Sequence, residues 1–175
     1  MNARATLTEA DGYEALRAHV VQKALAARAR HGPEIDAAAI RRVLADPEIV
    51  RFPTEIAFSS SALLPGEFAC PLPKGEHPKD GFTLAVHELF AQRPDALPYL
   101  VAYHIPSINY LDVATNREAE LFGAALLGLE VDEYYRRVCA LADELPAGAP
   151  TMPVFHEPAP AAHACACGKT GGCGG

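Results

Sequence analysis

The chain lacks three things that would place a protein quickly. It has no long apolar run: a stretch such as Leu-Val-Ala-Tyr at 100–103 is typical of what it offers. A membrane-spanning helix needs about 20 consecutive apolar residues, so no bilayer span is expected. Residues 1–19 carry charges throughout and hold no apolar stretch of the kind a secretory signal requires, so a cytoplasmic protein is expected. Nor is there an excess of positive charge. Fifteen Lys and Arg face 22 Asp and Glu, a formal charge of −7, which argues against nucleic acid or an anionic membrane surface as a partner. Finally, the cysteines do not form a disulfide framework. Cys70 and Cys139 stand far apart, whereas Cys165, Cys167 and Cys173 crowd the C-terminus, and in a reducing compartment clustered cysteines read as metal ligands or redox thiols.

What is present is a chain of 175 residues, half of them apolar, enough for one domain with a core. Thr8 and Asp11 form a capping signal for a first helix whose Tyr13, Leu16, Val20 and Ala24 recur at spacings of three and four. His31-Gly32-Pro33 stops it. A shorter helix over 35–45 should bury Ile40, Val43 and Leu44 before Asp46-Pro47 ends it. Short alternating runs then predict strands at 49–52 and 55–58, a brief one at 68–70, and a half-buried one at 82–86. The stretch 99–105, closed by Pro106, is also expected to be a strand, interior to the sheet. Leu64-Pro65-Gly66-Glu67 has turn chemistry.

Helix returns with Thr115-Asn116-Arg117-Glu118, a capping box in which each end residue's side chain satisfies the other's free N–H. Ala119, Phe122, Leu126 and Leu127 supply its apolar stripe, and Gly128 ends it. A last helix over 131–145 should pack back on it as a hairpin, burying Tyr134, Val138, Leu141 and Leu145. The fold class expected is α+β: two N-terminal helices, a small mostly antiparallel sheet and a C-terminal helical hairpin. One globular domain is expected over 1–145, a Pro/Ala-rich linker over 146–162, and a disordered Cys/His/Gly-rich tail over 163–175. The linker and tail contain few side chains able to bury area and offset ordering entropy.

The tail carries the clearest chemistry. His163-x-Cys165-x-Cys167-x5-Cys173 places four donors within 11 residues, the number a tetrahedral ion takes. Thiolate and imidazole suit Zn²⁺, and thiolate pairs suit Cu(I). Gly168, Gly171 and Gly172 let the chain turn back to deliver the last cysteine. The segment resembles the zinc-binding end of the bacterial secretion ATPase motor, where C-x-C-G is followed by Lys and a later Cys. It is also similar in composition to the tails of bacterial nickel-handling prolyl isomerases and related metallochaperones. Both resemblances imply metal capture or partner docking. Gly168-Lys169-Thr170 is not a phosphate loop, because His163 stands where the first glycine belongs.

In the body, His87-Glu88 opens like the zinc-peptidase motif H-E-x-x-H, but Ala91 stands where the second histidine belongs. Residues 116–122 resemble the third-ligand helix of such enzymes. A looser group remains: if the strands ending at His87 and His104 are neighbours, His87, His104, Tyr103 and Asp112 converge at one sheet edge and offer a second metal or acid–base site. Cys70 beside His77 is a weaker nucleophile candidate, and Cys139 reads as core.

The reading these residues favour is a metal-binding accessory protein, metallochaperone-like or metal-sensing, with a thiolate tail for Zn or Cu(I) and a protein partner. One alternative is a metal-dependent enzyme using the His/Tyr/Asp group of the body. The other is a protein-interaction module without a metal role.

Overall fold

In the computed structural model the described residues are 8–146. The expected tail and all of the linker but Pro146 lie outside them. Within this range the fold is α+β, with five α-helices and a three-stranded sheet. Helix α1 spans Glu9–His31 and α2 spans Ala37–Leu44; strands β1 (Thr54–Phe58), β2 (Ala69–Pro73) and β3 (Phe82–Val86) follow. Then come α3 (Leu97–Tyr110), α4 (Asn116–Leu127) and α5 (Val131–Asp143). No helix among the described residues is long and apolar enough to cross a membrane.

The helix signals act as their chemistry dictates. Thr8 and Asp11 form a reciprocal capping box at the start of α1, and Thr115 and Glu118 form another at α4. Gly128 ends α4 in the left-handed region at φ 69°, where a side chain would be strained. The turn at 64–67 closes with the Glu67 N–H donating to the Leu64 carbonyl, and Gly66 takes φ 84°. Helix α1 is less buried than its apolar spacing suggests. Val20, Ala24 and Ala27 are covered, while Tyr13 is 37% exposed because the first turns extend beyond the helices that pack on the rest.

The sheet is mixed, in the order β1-β3-β2. β3 pairs parallel with β1 and antiparallel with β2. Leu84 lies at its centre, opposite Ile56 on one side and Pro71 on the other. Pro71 and Pro73 have no N–H to donate and are tolerated because β2 is an edge strand.

Two expected strands are absent. The stretch 99–105 lies inside α3, which continues through Pro106 to Tyr110. Eleven of its 14 residues are buried, because α4, α2, α5 and the sheet pack around it. A helix covered on nearly all sides shows no 3.6-residue pattern, so its apolar run mimics a buried strand. Residues 49–52 form no ladder either. Ile49 and Val50 donate N–H bonds to the Asp46 carbonyl, and the buried amide of Asn109 supplies two further bonds. Its Oδ1 accepts from the Arg51 N–H at 2.7 Å and its Nδ2 donates to the Ile49 carbonyl at 2.8 Å. A single side chain on α3 thus replaces a strand partner.

Candidate functional site

The proposed convergence of His87, Tyr103, His104 and Asp112 is only partly realised. His87 sits just past β3 as the cap of a short 3-10 turn (Glu88–Phe90), its Nδ1 accepting from the Leu89 N–H at 3.1 Å. Its backbone N–H donates to the Phe68 carbonyl. Phe68 is fully buried, and its ring meets Tyr103 and His104 edge-on at 5.7 and 5.5 Å. Tyr103 and His104 are therefore neighbours in an aromatic cluster of the core. Asp112 lies apart in an exposed turn (Leu111–Val113). Among the described residues, no three His, Cys, Asp or Glu side chains come together in a way that would hold a metal ion.

His104 is 5% exposed, and its Nε2 has no hydrogen-bond partner among the described residues. Burial holds its pKa down to about 3, so the imidazole stays neutral. Burial likewise pushes the Tyr103 hydroxyl above its ordinary range, with the Glu120 charge adding to it. Neither group is set to exchange protons near neutrality. Cys70 is not an activated nucleophile: burial first, then the Glu67 charge, raises its thiol pKa. Cys139 is half-buried on α5.

Charged clusters that sequence reasoning did not assemble organise the body instead. Glu118 is completely covered, yet its carboxyl stays below the ordinary range. Burial pushes it up, but hydrogen bonds from the Thr115 hydroxyl and N–H and from the Arg17 guanidinium, at 3.0 Å, outweigh that. Asp46 behaves similarly. It joins Arg30, His31 and the Glu48 N–H, with the His31 Nε2 at 2.9 Å, and so ties the end of α1 to the loop after α2. The Asp-Pro pair at 46–47 was the only sequence signal for the second cluster. Only the Thr115–Glu118 capping box marks the first locally; its Arg17 partner stands 101 positions away.

A cleft of about 750 Å³ opens between the α1–α2 loop, the start of α3 and the end of α4. Pro33, Ile35, Pro98 and Leu129 form much of its wall, and Tyr99 is half-buried on its floor. Arg28 reaches into it, donating to the Leu126 carbonyl at 3.3 Å where α4 leaves its last carbonyls unpaired. That guanidinium lies only 2.2 Å from where a Cβ on Gly128 would stand. A second hollow of about 300 Å³ shares Asp95 and Tyr99 with the cleft and extends along Arg137 to Leu141. No sequence pattern announces either, since each is bounded by segments far apart in the chain.

The four tail residues, His163, Cys165, Cys167 and Cys173, lie outside the described residues. Compared with models of known families, with curated proteins and with solved structures, the chain matches none.

Proposed function

We propose that the protein is a metal-binding accessory protein, in which the folded body serves a protein partner and the C-terminal segment carries a thiophilic ion. The observation that carries this reading is the spacing His163-x-Cys165-x-Cys167-x5-Cys173, which offers three thiols and an imidazole within 11 residues. A single Zn²⁺ or Cu(I) ion matches that donor set. Among the described residues of the body, no three His, Cys, Asp or Glu side chains come together in a way that would hold a metal ion. An enzyme built on His87 and His104 would need groups that titrate or ligate together, and those two are separated by the Phe68 backbone and ring.

The test is metal stoichiometry on the full chain, prepared metal-free and loaded with Zn²⁺ or Cu(I) under reducing conditions. About one ion per chain is expected. Replacing both Cys165 and Cys167 by serine should abolish binding. His163→Ala should only weaken it, because water can fill a fourth position. Stoichiometric binding by the double serine variant would place the ion in the body and return the enzyme reading to the front.

A further inference from the structure

The sheet has two edges, and they differ in what they offer a further strand. At the ends of β2 the Phe68 carbonyl and the Lys74 N–H face β3, and inward and outward positions alternate between them. Ala69, Pro71 and Pro73 therefore turn outward. Two of those three have no N–H, so this edge is blunted. On β1 the Pro53 carbonyl accepts from the Phe82 N–H, and the Ser59 N–H donates to the Val86 carbonyl. The odd positions from 53 to 59 thus face β3, while Thr54, Ile56 and Phe58 turn both N–H and C=O outward. Among the described residues nothing takes up those six groups. No proline or unpaired charge guards them either. Glu55 is the one charged residue of β1, and Lys74, just beyond β2, holds it at 2.8 Å. We propose that β1 pairs antiparallel with β1 of a second copy, about a two-fold axis at Ile56, joining two sheets into one of six strands.

The strand is self-complementary in that register. Ile56 faces its own counterpart and Thr54 faces Phe58 at both ends, so each outward N–H meets an outward C=O. Six backbone hydrogen bonds result, all from one patch used twice, as a two-fold interface requires. The side chains match as well. Isoleucine against isoleucine, and threonine against an aromatic ring, are cross-strand pairs that favour a sheet. Ile56 and Phe58 already pack on the core yet stay half-buried, and an added strand covers the flank they leave open. Glu55 falls opposite Ala57, so no two carboxylates are set face to face. The ladder is shorter than permanent dimers use, whose interfaces bury about 2,000 Å² or more, so the pair is transient and fills as concentration rises. This inference does not rest on the metal reading.

Sedimentation and residue-resolved hydrogen exchange on the full chain test it, with a chelator and a reductant present so that thiols cannot bridge two copies. Monomer should give way to dimer between about 10 μM and 1 mM. Over that range protection of the Thr54, Ile56 and Phe58 amides should rise severalfold, while Glu55 and Ala57, bonded to β3, stay protected throughout. Thr54→Pro removes an outward N–H and no bond to β3, so it should weaken dimerisation about tenfold or more and leave the circular dichroism unchanged. A chain that stays monomeric overturns the proposal. So does a dimer whose three outward amides remain unprotected, because another surface then joins the copies. Protection of those amides already in the monomer assigns the edge to a segment of the same chain and likewise overturns it. Should Thr54→Pro fail to fold, the amide pattern of the parent chain still decides.

Discussion

The Tyr134 ring occupies the space a side chain at position 123 would need: a Cβ on Gly123 would stand 2.0 Å from the Tyr134 Cζ. Tyr134 cannot move aside easily. Its hydroxyl donates to the Tyr99 carbonyl at 2.8 Å, and its ring stacks on that of Tyr99. Glycine here allows α4 and α5 to close over α3. Gly123→Ala should therefore destabilise the protein by about 1–3 kcal/mol, even though alanine is the better helix former by about 1 kcal/mol. Denaturant unfolding measures it, and a neutral or stabilising result would show that the α4–α5 contact is looser than described.

Asn109→Leu should cost about 2–4 kcal/mol, because it strands the Arg51 N–H and the Ile49 carbonyl in a buried setting. Hydrogen exchange at Arg51 should accelerate in step. Unchanged protection of that amide would mean another group supplies its partner.

His104 sets a pH dependence whose sign follows from its depressed pKa. The unfolded chain takes a proton below about pH 6.5, which the folded chain refuses until about pH 3. Stability is thus fully present above about 6.5 and falls as pH drops, approaching about 1.4 kcal/mol per pH unit. The carboxyls of Glu118 and Asp46, held low in the fold, begin to lose their contribution only as pH falls below their unfolded values of about 4. His104→Leu should flatten the slope between pH 6.5 and 5 and leave stability at pH 7 equal or higher, since it removes an unpaired buried nitrogen. A slope unchanged by that substitution would assign it to other histidines.

Metal affinity should fall steeply between pH 8 and 6, by about tenfold per pH unit for each thiol that must lose its proton to bind. Titration calorimetry in buffers of different ionisation enthalpy would count the protons released. Binding without proton release would exclude Cys165, Cys167 and Cys173 as the ligands.

Much of the helical framework was legible locally, because capping is a local interaction. Thr8 with Asp11, Thr115 with Glu118, and Gly128 each act within a turn of their own helix. Strand β3 was legible as a strand but not as a half-buried one: four of its five residues are buried, because it is the central strand of the sheet. Helix α3 was not. Its signal depends on having a wet face, and it has almost none. The group around His87 was misplaced for the same reason: once 99–105 is a helix, His104 turns into the core rather than toward a sheet edge.

The sequence by itself determined where helices α1 and α4 begin and end, because capping hydrogen bonds between residues three or four apart need no tertiary partner. It also determined the acidic balance and the thiol-rich C-terminal segment, which are matters of composition and spacing. Only the tertiary structure decided that Asn109 completes the backbone of 49–51, that Glu118 is buried against Arg17, and that three distant segments enclose a cleft over Tyr99. Those relations join residues tens of positions apart, and they exist only once α3 is packed at the centre and brings its neighbours into contact.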